Sequence, residues 1–164
     1  MSIQDNATIR PMEPGDIDAV LEINKEGFNK DAWSKQAFER EFALDYSYKF
    51  VLELNDQIIG YCILWVIHDT ANIITFAIKK DYWGLGYGKR FLSHLIEKFK
   101  DRVRSMALDV RKSNIRAIRL YRSLGFERVG ERIKYYSDGE NAFQMLLDTT
   151  KLQLKYNSQG ILCS

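Results

Sequence analysis

The chain has 164 residues, 46% of them hydrophobic and 13% aromatic, with a formal net charge of +2. That is enough apolar material for one core and too little length for two ordinary domains. The longest uninterrupted apolar run, Tyr61 to Ile67, has seven residues, a buried strand's length and well short of a membrane span. The polar start, Met1 to Asn6, lacks the apolar core of a signal peptide, and two cysteines, Cys62 and Cys163, make neither a disulfide framework nor a metal cluster. A reducing cytoplasm is the expected setting, with Cys62 in the core and Cys163 an incidental exposed thiol.

Strands and helices alternate along the chain without repeats or linkers. Thr8 to Met12 reads as a strand. Pro14, followed by Ile17, Val20, Leu21 and Phe28 at helical spacing, predicts a helix from about Glu13 to Phe28. Ser34 is placed as an N-cap, with Trp33 and Phe38 as a hydrophobic staple, opening a helix to about Ala43. Tyr48 to Leu54 and Gln57 to Ile67 form a hairpin around Asn55-Asp56, and Asn72 to Ile78 is a further strand. Phe91, Leu92, Leu95, Ile96 and Phe99 give the next helix one apolar stripe. Met106 to Val110 is a strand, Asn114 to Leu124 a helix, and Glu127 to Lys134 and Asn141 to Asp148 a final strand pair. Residues 1–149 are thus read as a single domain, and residues 150–164 as a loose tail or an added strand.

Between the Asn72 strand and the Phe91 helix lies Asp81-Tyr82-Trp83-Gly84-Leu85-Gly86-Tyr87-Gly88-Lys89. Alternating glycines let the backbone take positive φ and approach a ligand closely, and the N-terminus of the following helix attracts anions. A P-loop is excluded, because Arg90 stands where its hydroxyl belongs and Trp83 replaces its first glycine. A dinucleotide fingerprint is excluded by Lys89 at its third glycine. What remains, Trp83 to Gly88 as x-x-x-G-x-G, resembles the acetyl-CoA pyrophosphate loop of the GNAT acetyltransferase superfamily, usually [QR]-x-x-G-x-[GA]. Trp83 departs from its first position. A second stretch, Leu108-Asp109-Val110-Arg111-Lys112-Ser113-Asn114 followed by Tyr121-Arg122-Ser123-Leu124-Gly125-Phe126, resembles the strand, Asn and Tyr-bearing helix of the same family. Ala32-Trp33-Ser34 and Tyr135 to Ala142 extend the likeness toward the branch that acetylates protein N-termini, typified by ribosomal-protein-alanine N-acetyltransferases. The resemblance covers roughly residues 7–148.

The family likeness implies an α/β fold: a mixed, mostly antiparallel sheet of about seven strands, splayed at the cofactor site and flanked by about four helices. It implies acetyl-CoA as co-substrate, with no metal. Its phosphates would be held by Gly84, Leu85, Gly86, Tyr87, Gly88 and Lys89, and its arm by main-chain groups near Phe76 and Ile78 and by Asn114. Tyr121 takes the place of the general acid. Its phenol, with a pKa of about 10, is close enough to a departing thiolate at about 8.5 to hand over a proton without much tuning. Asp109 stands where the branch often has Glu and is the expected base, with His68 as the alternative; pairing with an arginine such as Arg111 is the plain structural role. Asn72 and Thr75 depart from that branch's usual Glu and Asn. Phe28, Trp33, Tyr135 and Tyr136 are expected to line the acceptor groove.

Charge is lopsided. Residues 1–78 carry 6 Lys/Arg against 13 Asp/Glu, while residues 79–136 carry 16 against 6, a basic block suited to an anionic ligand. The expected acceptor is the α-amine of a protein N-terminus. With a pKa near about 8 it is roughly a tenth neutral at pH 7, whereas lysine, at about 10.4, is almost wholly charged. Small amines such as polyamines, aminoglycosides or amino acids remain the alternative acceptors. From another class, a nucleic-acid-binding module using residues 79–136 is the rival, although Arg116, Arg119 and Arg122 also read as a solvated helix face. The oligomeric state is not legible.

Overall fold

The computed structural model describes residues 5–152. Its strands are β1 (Ala7–Pro11), β2 (Ser47–Leu54), β3 (Gln57–Ile67), β4 (Thr70–Ile78), β5 (Ser105–Arg111), β6 (Glu127–Arg132) and β7 (Ala142–Asp148). Its α-helices are α1 (Ile17–Phe28), α2 (Lys35–Glu41), α3 (Tyr87–Phe99) and α4 (Ile115–Ser123). The strands hydrogen-bond in the order β1-β2-β3-β4-β5-β7-β6. Pairing is parallel for β4 with β5 and antiparallel for β1–β2, β2–β3, β5–β7 and β6–β7. The expected mixed α/β architecture is therefore the one observed, in the expected element order.

The chain divides into two compact units, residues 1–65 with 74–91, and residues 66–73 with 92–164. In the first, β1, β2 and β3 form an antiparallel ladder. Asn55 and Asp56, with φ of 50° and 63°, make its β2–β3 hairpin; positive φ at both central residues gives the twist that two-residue hairpins need. The core of this unit gathers Ile17, Val20 and Ile23 of α1, Phe38 of α2, Val51 of β2 and Tyr61 and Ile63 of β3. The Ser34 hydroxyl accepts from the Ala37 N–H at 3.2 Å, as an N-cap should. The Trp33 and Phe38 rings, 5.1 Å apart, form the staple. Glu41, buried at the end of α2, accepts from the Ser47 hydroxyl at 2.5 Å and the Trp65 indole at 2.8 Å.

In the second unit, β5 alternates as its sequence predicts, with Met106, Leu108 and Val110 buried and Asp109 on the opposite face. Its parallel register with β4 runs from Thr70↔Ser105 to Ile73↔Leu108. β7 covers its other side over the whole of Ser105–Arg111. β6 pairs with β7 through a shift between Arg128 and Gly130.

Two expectations are corrected. The helix placed from Glu13 begins as a 3-10 turn at Pro14–Asp16, and α1 starts at Ile17. The cause is a reciprocal capping box: the Glu13 N–H donates to the Asp16 carboxylate at 2.8 Å, while the Glu13 side chain accepts from the Asp16 N–H. Residues 149–152 are helical rather than extended. The Thr149 hydroxyl donates to Val103 O at 2.5 Å, and its N–H donates to Arg104 O at 3.0 Å, turning the chain away from the β7 direction. The rest of the expected tail, residues 153–164 with Cys163, lies outside the described residues.

Asp16 also receives both Arg10 guanidinium nitrogens, at 2.8 and 2.9 Å, and Arg10 bonds Glu53 at 2.6 Å. The hydrogen bonds from Arg10 hold the Asp16 carboxyl below the usual carboxylate range. A lowered folded-state pKa means stability that is present above the unfolded value and lost as pH falls through the folded one. Asp16→Asn should therefore be less stable than the parent in urea titrations at neutral pH. That difference should close as pH drops below the ordinary aspartate range, about 3.9.

Candidate active site

The candidate residues fall in both units. In the first, β4 ends at Ile78, a 3-10 turn spans Lys80–Tyr82, and residues 83–86 turn the chain into α3. Gly84 and Gly86 hold φ of 75° and 88°. A Cβ built on either would meet nothing within 4 Å, so conformation and not crowding demands glycine there, and the space beside the backbone stays open. The first internal bond of α3 runs from Arg90 N to Gly86 O at 3.1 Å. The Tyr87, Gly88 and Lys89 N–H groups precede that ladder and stand at the positive end of a 13-residue helix. This is the geometry of an anion cradle.

Trp83 explains its own departure from the usual Gln or Arg. Its indole Nε1 donates to Ile78 O at 2.7 Å, strapping the glycine turn to the end of β4, and the Lys80 ammonium sits 5.9 Å from its ring. The start of the loop is held twice more, by Lys79 N on Ile59 O at 2.7 Å and by Lys80 N on the Glu26 carboxylate at 2.8 Å. The Ile78 carbonyl, one of the main-chain groups expected near the cofactor arm, is thus engaged by Trp83. Phe76 is half-buried, its ring 5.9 Å from that of Phe91. Leu85 is exposed at the loop tip. The Tyr87 hydroxyl and the Arg90 guanidinium both bond Asp5, the latter at 2.6 Å. Bonding to that carboxylate raises the Tyr87 pKa and lowers that of Asp5. Phe28 and Trp33 are half-buried against the unit's core, with part of each ring exposed.

In the second unit, Tyr121 is 7% exposed, its ring edge-on to Phe126 at 5.9 Å. Asn114 caps α4, accepting from Ala117 N at 3.2 Å. Asp109 and Tyr135 come together: Asp109 pairs with Arg132 at 3.2 Å, and the Tyr135 hydroxyl bonds the same carboxylate. Desolvation first, then the Asp109 charge, push the Tyr135 phenol upward. An arginine does pair with Asp109, and it is Arg132. Arg111 instead reaches Asp138 at 2.9 Å and Glu140 at 3.6 Å, and its guanidinium lies 4.1 Å from the Tyr136 ring. Arg132 was the residue missed. Its pairing depends on the β6–β7 register, which the local pattern around Asp109 does not encode. His68 sits exposed in the β3–β4 turn with φ 55°, a conformational role, and His94 lies on the exposed face of α3. Thr75 is buried on β4 and bonded to Tyr61, while Asn72 is half-buried on the other face of the strand.

Much of the basic block is neutralised locally. Lys112 and Arg128 pair with Glu131 at 3.0 and 3.2 Å, Lys100 with Glu97 at 2.7 Å, and Arg111 and Arg132 with the acids already named. Arg116, Arg119 and Arg122 are exposed along α4. Among the described residues, no three or more His, Cys, Asp or Glu side chains are grouped to hold a metal ion, and no helix is long and apolar enough to cross a membrane.

Residues 17–126 match the model of the acetyltransferase (GNAT) family. The chain belongs to the GNAT acetyltransferase family. It is 35% identical over 144 residues to the ribosomal protein bS18-alanine N-acetyltransferase of Escherichia coli (strain K12), covering 85% of this chain and 96% of that one. It is 30% identical over 148 residues to the N-alpha-acetyltransferase RimI of Mycobacterium tuberculosis (strain H37Rv), covering 87% and 92%. Among solved structures, the E. coli ribosomal-protein-S18-alanine N-acetyltransferase superposes with a TM-score of 0.79 at 33% identity, over 87% of this chain and 94% of that one. As a GNAT member the chain is an acetyl-CoA-dependent N-acetyltransferase. The open, left-handed glycine turn ahead of α3 suits the co-substrate's phosphates.

Replacing Trp83 with Phe keeps the ring and removes the donor to Ile78. Calorimetry should find acetyl-CoA binding weakened by about tenfold, the worth of one hydrogen bond of roughly 1.4 kcal/mol.

Proposed function

We propose that this GNAT enzyme transfers acetyl to the α-amine of a protein N-terminus, with an N-terminal alanine of a ribosomal protein as the leading acceptor. The observation that carries the reading is the likeness, over 96% of the relative's length, to an enzyme named for acetylating an alanine of ribosomal protein bS18. A cytoplasmic setting goes with that acceptor.

The reaction we assign is direct attack in a ternary complex. The thioester supplies the acetyl group. The N–H groups of residues 84–89 bind its phosphates, and main-chain groups at Phe76 and Ile78 orient its arm, with an amide there donating to the carbonyl oxygen as negative charge develops. Asn114, which caps α4, is also assigned a contact with that arm, as the family resemblance implies. Phe28, Trp33, Tyr135 and Tyr136 receive the acceptor. The amine nitrogen forms its bond to the acetyl carbon as the carbon–sulfur bond breaks. Asp109, directly or through water, takes the proton the amine sheds, and the Tyr121 hydroxyl returns a proton to the sulfur. Arg132 and Tyr135 both engage the Asp109 carboxylate and fix its orientation; the pH profile of Asp109→Asn separates a base from a structural partner of Arg132. The burial of Tyr121 supports a proton donor shielded from bulk water.

Incubation with acetyl-CoA and a panel of N-terminal peptides, lysine peptides and polyamines, read by mass spectrometry, should place the added 42 Da, the mass of acetyl less one hydrogen, on the α-amine of peptides beginning with alanine. Acetyl on polyamines alone would replace the reading with small-amine acetylation.

Tyr121→Phe should lower single-turnover rates about 10²-fold or more while leaving acetyl-CoA affinity near that of the parent. Asp109→Asn should be slow near neutral pH and recover partly as pH rises, because the neutral amine becomes abundant without help. A profile overlaying the parent across that range would leave Asp109 a structural partner of Arg132.

Acetyl-CoA should also protect the protein against heat, whereas nucleic acid should bind weakly and with steep salt dependence. Tight, sequence-selective and salt-resistant binding without a shift from acetyl-CoA would favour the nucleic-acid rival.

A further inference from the structure

α1 carries one polar residue at a place its own apolar stripe marks as core. Ile17, Val20 and Ile23 are buried, and Asn24, one turn beyond Val20, is buried completely. A buried amide is costly unless its groups are bonded. Here Oδ1 accepts from the main-chain N–H of Trp33 at 2.6 Å, and Nδ2 donates to the Tyr61 hydroxyl at 2.7 Å. The Tyr61 hydroxyl is in turn 2.8 Å from Thr75 Oγ1. Tyr61 is fully buried and Thr75 6% exposed, so the two bonds of the Tyr61 hydroxyl run through a dry interior where water does not compete for them.

This series of bonds ties α1 to two other places in its unit. One is the segment after the helix, which opens with Asn29 at φ 47°, makes a single 3-10 turn at Asn29–Asp31 and is extended at Ala32. A segment of that kind has no ladder of its own to hold it. The other is β4 at Thr75, the residue before Phe76. The Trp33 ring is held independently, 5.1 Å from Phe38, which lies edge-on to Tyr61 at 5.7 Å. Main chain and ring of Trp33 therefore both refer back to Tyr61.

We propose that Asn24 is a positioning residue for the acceptor: through Trp33 on one side and Tyr61–Thr75 on the other, it sets the Phe28–Trp33 segment against β4. The inference rests on the reading of Phe28 and Trp33 as acceptor-side residues. It separates Asn24 from a merely structural amide, since a structural loss would affect both substrates alike.

The test compares the parent, Asn24→Ala and Tyr61→Phe, using a peptide with a free N-terminal alanine and acetyl-CoA, together with amide hydrogen exchange at Trp33. Asn24→Ala should raise the peptide KM about tenfold, the value of one lost hydrogen bond, with the acetyl-CoA KM within about twofold. Its Trp33 amide should exchange faster. Tyr61→Phe keeps the ring and the Asn24–Trp33 bond but removes the hydroxyl that both Asn24 Nδ2 and Thr75 bond, cutting the link to β4. It should raise the peptide KM by a smaller factor and leave the Trp33 amide protected, and it decides the matter if Asn24→Ala does not fold. Equal changes in both KM values, or in neither, overturn the inference. If the parent leaves the peptide untouched, the acceptor reading fails, and the comparison is made with the amine from the panel that the parent does acetylate: a rise in that amine's KM alone supports the positioning role, and equal changes in both KM values, or in neither, overturn it.

Discussion

The chain must pass from the end of β4 into the first turn of α3 within a few residues, and that reversal is possible only because Gly84 and Gly86 occupy the left-handed region. A side chain at either would cost about 1–2 kcal/mol in backbone conformation alone. With the turn in place, three main-chain N–H groups of α3 are presented ahead of the helical ladder, and the helix dipole adds to their pull on anions. The Trp83 indole, the Glu26 carboxylate and Ile59 O then pin the residues just before the turn. An anion site made of backbone is only as good as the rigidity of that backbone, and these bonds give the turn its reference to β3, β4 and α1.

The two units are held by different physics. In the first, the decisive polar bonds lie in or against the core: Asn24 with Tyr61, Tyr61 with Thr75 and Glu41 with Ser47 are buried, and Asn24 with Trp33 and Glu41 with Trp65 half-buried. Losing one partner of such a bond leaves a desolvated group and costs about 1–3 kcal/mol. The second is laced by ion pairs at the surface, among them Arg132–Asp109, Lys112–Glu131 and Arg111–Asp138. Each of these is worth about 0–1 kcal/mol and weakens with salt. Precision around Asn24 and Tyr61 in the first unit therefore comes from desolvation, and precision around Asp109 from several weak pairs acting on the same hairpin.

Most of the fold was legible because its signals are local. Alternation in β5, the Asn55-Asp56 turn, the Ser34 cap with its Trp33–Phe38 staple and the stripe of α3 each fall within a few neighbouring residues, and each appears within a residue or two of where the pattern puts it. Pro14 misled because proline is as comfortable in a 3-10 turn as at the start of an α-helix, and the reciprocal Glu13–Asp16 bonds chose the former. The helical turn at residues 149–152 was not read because the Thr149 bonds to Val103 and Arg104 join segments distant in sequence. At the site, glycine spacing and the Asp109 to Phe126 stretch carried the family. What could not be read were bonds between distant segments: Arg132 with Asp109, Trp83 with Ile78 and Asn24 with Tyr61. Asn24 left one trace, a polar residue on an apolar helix face.

The hairpin between β6 and β7 keeps its shape largely through charge and main-chain bonds. Lys134 N donates to the Asn141 side chain and Tyr136 N to Glu140 O, while Arg111 and Ser113 reach back to Asp138 and Glu140. Ile133 is left 68% exposed and so contributes little to that shape, whereas Tyr135, 51% exposed, contributes through its hydroxyl on Asp109. A frame built this way separates form from recognition: the exposed side chains can be exchanged over evolutionary time while the scaffold beneath them persists. Substitution at an exposed position such as Ile133 therefore leaves the hairpin's frame in place, because the bonds that shape it lie elsewhere.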